Sequence, residues 1–473
     1  MVWKKQKYEN KFWGKVYNME KTKNAHEVDM LHGPMGTKIF FFALPLALAS
    51  ILQQLFNSAD LAVVGRFASS EALAAVGANS APINLIVSLF TGLSLGVNVV
   101  IGMLIGRGRP EKIREAVANL YLVGVICGLI LFPTGELVAR PLLTVMGTPD
   151  NVINLALLYL RIYFFATPFI MIYNFASAIL RAKGDSARPL LALAVSGVIN
   201  IFLNLFFVIR CGMTVDGVAL ATVISNVISA VIVTIFLIRE PGNFHLSLRH
   251  VKLKKEYLET LFRIGIPAGL QGTVFSLSNV VIQSAINSFG SAAIAGTTAG
   301  QNFEFMCYFI VNAFSQAAVT FTAQNYGAGQ YDRCKKVFVL SMLIGESLTF
   351  ALSLVFWIFR GTLIQIFTTD QEVIAYAMIR MMIVSTWEIG TGTYEIPAGC
   401  LRGMGISMAP TVLVIFGSCV FRLIYVSTIF AAHHDFFILT IVYPISWAIT
   451  GIAVEIYYFI MRKKLFARGA ASS

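Results

Sequence analysis

The chain has 473 residues, of which 57% are hydrophobic and only 13% charged, and its mean hydropathy is +0.74. This balance excludes a soluble globular domain and defines a polytopic membrane protein. The net charge of +12 is accounted for by basic loops facing anionic lipid and calls for no nucleic-acid partner.

In chain order, residues 1–35 read as a cytoplasmic tail without the apolar core and cleavage site of a signal peptide. Phe12, Trp13, Val16 and Tyr17 beside lysines allow a short interfacial helix, but a loosely ordered tail suits them better. Apolar runs then recur at 37–62, 71–105, 112–135, 152–180, 187–208 and 216–238, and again at 258–288, 292–325, 334–358, 372–400, 407–430 and 436–461. Each is long enough for the about 20 helical residues that cross a hydrocarbon core. The prediction is an all-α chain of twelve transmembrane helices, with an N-lobe at 36–240, a cytoplasmic linker at 241–257, a C-lobe at 258–465 and a tail at 466–473.

The two sets of six repeat one another. Pro45 and Pro267 are 222 positions apart, as are Asn57 and Asn279; GRGRPEK at Gly106 echoes GAGQYDR at Gly327, and LRAKG at Arg181 echoes LRGMG at Arg402, each 221 apart. An even number of helices per copy starts the second copy on the same side as the first. The halves are therefore two six-helix bundles in a parallel repeat about an axis along the membrane normal, with the ligand expected between them.

Basic residues orient the chain. Lysines before the first helix, Arg107, Arg109, Lys112 and Arg114 after the second, Arg181, Lys183 and Arg188 after the fourth, and Arg333, Arg402 and Arg462 in the second half gather on one face, whereas the opposite loops hold lone arginines such as Arg66 and Arg210. Both termini are placed in the cytoplasm, as in a multi-pass cell-membrane protein.

Several chemistries lack their motifs. The six cysteines show no CxxC spacing, and His433, His434 and Asp435 read as an exposed loop and not as a metal site. No GxxxxGK[ST], HExxH or GxSxG occurs, so neither a nucleotide nor an enzymatic centre is expected, and no cofactor. Uphill work then falls to an ion gradient.

Polar residues at membrane depth carry the remaining signal, since an ionisable group there costs about 2.5–3.5 kcal/mol on insertion scales. Gln53, Asn57 and Asp60 follow i, i+4, i+7 spacing and form a stripe on the first helix; the repeat keeps the amide at Asn279 but has Ile282 opposite Asp60. Asn200 and Asn204 give the fifth helix a similar face, and Asn174 sits on the fourth. The second half has Asn279 and Gln283 on its first helix, Gln301, Glu304 and Tyr308 on one face of the eighth, and Glu388, Thr391 and Glu395 on one face of the tenth. The competing reading puts these acids in ion pairs, with Arg66 for Asp60 and Arg161, Arg380 or Arg422 for the glutamates. Pro45, Pro168, Pro267 and Pro397 offer bend points, and Gly92 with Gly96, Gly296 with Gly300 and Gly399 with Gly403 fit close helix packing.

GPMG at Gly33–Gly36, ALP at Ala43–Pro45, NSAD-LAVVGR through Arg66, LRAKGD at Leu180–Asp185 and NIFLN at Asn200–Asn204 together resemble the multidrug and toxic compound extrusion (MATE) transporters, over about residues 30–465. The resemblance implies two six-helix lobes around a cleft that export amphipathic, often cationic compounds in exchange for protons or sodium ions. Asp60 matches the first-helix acid that carries the ion in such members, with Asn57, Asn200 and Asn204 as its neighbours. Asn204 stands where many relatives have aspartate, which removes one carboxylate from a sodium site. Gln53, Asn174, Asn279, Gln283, Gln301, Glu304, Glu388 and Glu395 are the expected substrate-binding residues. The alternative is a flippase for a lipid-linked oligosaccharide or other polar lipid, which needs more cationic residues in the cleft.

Overall fold

A computed structural model describes residues 27–249 and 251–472; the aromatic stretch at 12–17 lies outside them. The described chain is almost wholly helical, as lipid requires, because a helix satisfies its backbone groups internally. The spans are α1 Met35–Phe67, α2 Glu71–Gly106, α3 Pro110–Val145, α4 Asp150–Lys183, α5 Ala187–Arg210, α6 Val215–Arg239, α7 Lys255–Asn287, α8 Ser291–Gly327, α9 Tyr331–Gln365, α10 in two pieces, Gln371–Ser385 and Glu388–Gly403, α11 Met408–Phe430 and α12 Phe436–Ala467.

Two expectations change. The last helix continues to Ser472, so 466–472 prolongs α12 and is not a separate tail; three alanines among these residues favour helix. The pronounced bend of α10, 40°, lies at Thr386–Trp387 and not at Pro397. A helical proline frees the carbonyl four residues before it, here Thr393. The break instead follows a π turn at Met381–Ser385 and leads into a 3-10 turn at Glu388–Thr391, where the ladder of hydrogen bonds changes its period.

The repeat becomes visible as an exchange of helix ends. Ile39, Phe42 and Leu46 at the start of α1 pack in the C-lobe core, while Val63 and Val64 near its end pack in the N-lobe core. The seventh helix mirrors this, with Tyr257 and Leu261 in the N-lobe core and Ile282 and Ile286 in the C-lobe core. Both LRxxG loops end their helices on a left-handed glycine, Gly184 with φ +113° and Gly405 with φ +87°, a conformation that favours glycine.

Small residues let the lobes touch. A Cβ on Gly92 would lie 2.1 Å from the Gly269 nitrogen, and one on Gly96 would lie 2.4 Å from the Leu261 oxygen, which locks α2 against α7. Gly296 meets Val373 and Tyr376, Gly300 meets Arg380, and Gly399 and Gly403 meet the carbonyls of Ser315 and Val319. All three glycine pairs are close-packing sites. At the basic end, a Cβ on Gly106 would fall 2.0 Å from the Gln324 oxygen and one on Gly327 would fall 2.5 Å from the Met103 oxygen. Backbone contact between α2 and α8 thus closes that end.

The segment before α1 also bridges the lobes. Val28 donates to the Gly184 carbonyl at 3.0 Å, while the Met30 carbonyl accepts from Asn325 at 3.1 Å and from Arg333 at 3.1 Å.

Candidate functional site

In the N-lobe, α1 and α5 meet where Gly197 leaves room for Phe56, a Cβ on Gly197 falling 1.8 Å from that ring. One turn further along α1, Asp60 is buried and its Oδ1 accepts from Asn204 Nδ2 at 2.5 Å; the same nitrogen reaches Asn200 Oδ1 at 3.2 Å. Asn204 Oδ1 is buried without a partner. No cation among the described residues pairs with Asp60, and Arg66 turns instead to the Phe67 ring at 6.0 Å. A buried carboxylate with a single amide donor and no cationic partner is unfavourable while it stays charged.

The C-lobe holds a cavity of about 260 Å³ between α7, α8, α10, α11 and α12, with Ser88 of α2 at its edge. Glu304, Glu388 and Glu395 all line it, and so does Asn279. Arg380 donates from Nε and Nη2 to Glu304 Oε2, at 3.1 and 2.8 Å. Arg402 Nη2 donates to Gln271 Oε1 at 2.7 Å, Gln271 Nε2 donates to Glu395 Oε1 at 3.4 Å, and Arg402 itself lies 3.9 Å from Glu395. The break in α10 turns the Glu388 side chain into the same space, where Oε2 finds no partner. A larger crevice of about 400 Å³ between α1, α8 and α9 has an entirely apolar lining and no group that would orient a polar ligand.

A family model described as MatE matches residues 45–206 and, a second time, 267–427. The chain belongs to the MatE family of transporters. The two MatE matches are displaced by 221–222 positions, the same offset as the internal repeat. A probable multidrug resistance protein, YoeA, of Bacillus subtilis is 28% identical over 442 residues, 90% of this chain and 94% of its own length. A second one from that organism, YpnP, is 26% identical, covering 83% and 88%. The fold matches an outward-facing structure of a multidrug resistance MATE family transporter with a TM-score of 0.87 and 21% identity, covering 94% of this chain and 99% of that one. As a MatE protein the chain is a multi-pass membrane transporter and not an enzyme.

Of the expected ion-coupling residues of this MatE chain, the structure brings together Asp60, Asn200 and Asn204 but not Asn57. Asn57 is exposed and makes no hydrogen bond among the described residues, and Gln53 is exposed too. Both lie on the stretch of α1 between its C-lobe core residues and its N-lobe core residues. Of the expected substrate residues, Asn279, Glu304, Glu388 and Glu395 line one cavity. Asn174 hydrogen-bonds the Ile170 carbonyl at 2.8 Å within its own helix, Gln283 is half-buried and bonds Asn287 at 3.0 Å, and Gln301 stands outside the lining. Arg161 pairs with Glu136 and not with a cavity acid.

Sequence reasoning missed Glu346 and misplaced two arginines that it had named. Arg402, counted among the loop cations, is buried and reaches back into the C-lobe; its long stem carries the charge inward from the helix end. Arg422 was legible as a cation inside an apolar run, but its place in the cavity wall needed the packing of α11 on α12. Glu346 on α9 has neither carboxylate oxygen partnered, and it sits where a Cβ on Gly392 would be 1.8 Å from Oε1. His433, His434 and Asp435 are exposed, with the His434 ring stacked on Phe289 at 4.5 Å.

Proposed function

We propose that this protein is a secondary antiporter of the cell membrane, with cytoplasmic termini, that exports amphipathic small molecules in exchange for a proton or sodium ion. Asp60 with Asn200 and Asn204 forms the coupling site, and the C-lobe cavity takes the substrate. The observation that carries the reading is a buried carboxylate with a single amide donor in one lobe, beside a polar cavity in the other. Neutralising Asp60 changes what α1 can hold against α5, and α1 also packs in the C-lobe core, so ion binding in one lobe biases the arrangement of both. On this reading the closed basic end is the cytoplasmic gate.

The flippase reading gains nothing from the three buried arginines of the C-lobe, because three glutamates match them and no net positive charge is left for a pyrophosphate. The deciding experiment is substrate efflux from proteoliposomes under a sodium gradient alone and then under a proton gradient alone. One gradient drives export if the reading holds. Export driven by neither, with downhill movement intact, overturns it.

A further inference from the structure

Three acids, Glu304, Glu388 and Glu395, and one arginine, Arg422, line the C-lobe cavity, and of these Glu388 and Arg422 belong to no ion pair among the described residues. Glu304 is neutralised by Arg380, and Glu395 is held by Arg402 directly and through Gln271. Glu388, 2% exposed, keeps Oε2 without a partner; Arg422, 1% exposed, keeps Nη2 without one. Both residues line the cavity, and among the described residues no ion pair joins them.

Arg422 is fixed in a particular posture. Its guanidinium lies over Tyr443 at 4.6 Å, Phe275 at 5.2 Å and Trp447 at 6.0 Å, and Nε donates to Ser446 Oγ at 2.9 Å. Stacking occupies the faces of the plane and leaves the in-plane N–H groups for an acceptor; a planar fork of this kind matches a carboxylate or another oxyanion. A wholly cationic ligand satisfies Glu388 and leaves Arg422 both unsatisfied and repelled. A wholly anionic ligand does the reverse. A ligand with one charge of each sign answers both and leaves the cavity neutral.

We infer that the C-lobe cavity is built for an amphoteric substrate, an aromatic molecule whose acidic group meets the free edge of Arg422 while its cationic group meets Glu388. The inference rests on the proposal that this cavity is the substrate site. Tyr308, Tyr394 and Trp447 supply the walls against which an aromatic frame and a cationic centre are held.

The test is a matched pair of dyes, a dimethylaminostyryl N-methylpyridinium cation and its N-carboxymethyl betaine, bound by fluorescence titration to the full-length protein in lipid nanodiscs. The betaine is expected to bind the wild-type protein about tenfold more tightly than the cation, the discrimination typical of a site whose polar group is otherwise left unpaired. In Arg422→Gln that ratio falls to about one or reverses, and in Arg422→Lys part of it returns. A wild-type protein that binds the cation as tightly as the betaine overturns the amphoteric assignment and leaves the substrate site standing. If neither dye binds, both fall. The wild-type comparison decides the matter even if the variants do not fold.

Discussion

Asn98 Nδ2 donates to Thr320 Oγ1 at 3.1 Å, and the two residues are 222 positions apart. With the offset of 221 that relates Gly106 of α2 to Gly327 of α8, the mate of Asn98 is Val319, so on α8 Thr320 stands one position beyond it. A residue meets its own mate only where the symmetry axis passes, as at an isologous interface. Gly106 and Gly327, repeat mates 221 positions apart, lie in the contact that closes the basic end on the same two helices, so the axis runs between α2 and α8.

Gly106→Ala places a Cβ against backbone atoms that cannot turn aside. The variant should destabilise the closed basic end by about 1–3 kcal/mol, the usual cost of overpacking. With cysteines introduced at the Asn98–Thr320 contact, as N98C and T320C, oxidative crosslinking should slow and labelling by a thiol reagent from the basic side should rise. Unchanged crosslinking and labelling would show that the helices part there without strain.

Asp60→Asn keeps the size and the hydrogen-bond geometry but removes the charge that an ion neutralises. Gradient-driven export should fall to background while substrate counterflow persists in a folded protein. Export at the wild-type rate would move the coupling site elsewhere, with Glu346 the first alternative. Asn204→Asp adds the second carboxylate that a hard cation favours and should tighten sodium binding; unchanged sodium affinity would exclude α5 from the site.

Arg380→Met leaves Glu304 as a half-buried carboxylate without its two donors. Removing one member of such a pair costs about 3–5 kcal/mol, so the midpoint of thermal unfolding should drop. The double variant with Glu304→Gln should recover most of the loss, since the pair is replaced by neutral groups of similar shape. No recovery would mean that Arg380 acts through its stacking on Tyr443, at 5.1 Å, and not through its charge.

Glu388→Gln and Glu395→Gln should differ. Glu388 Oε2 is free for a ligand, so its loss should weaken a substrate bearing a positive charge by about 1.5–3 kcal/mol, the range for hydrogen bonds to charged groups, and a neutral one much less. Glu395 is occupied by Arg402 and Gln271, and its loss should chiefly lower stability. Binding titrations with a charged and an uncharged substrate separate the two, and equal effects on both substrates from Glu388→Gln would make that residue structural.

The sequence by itself determined the membrane class, the twelve spans, the parallel repeat and the glycines of the helix contacts, because each rests on a local quantity: run length, the offset between matching residues, or the absence of a side chain. It also singled out Asp60, whose charge is conspicuous in an apolar helix. Only the tertiary structure decided which polar groups meet. Asn57 and Asp60 share a helix face, yet Asn57 is exposed while Asp60 is buried and accepts from Asn204 of α5. Arg402 looked like a loop cation until its side chain was seen to run back to Gln271. Glu304, Glu388 and Glu395 are three acids in the sequence, but Arg380 occupies the first and Arg402 the last, which leaves one free. Partnership at membrane depth is set by helices far apart in the chain, and no spacing within a single helix encodes it.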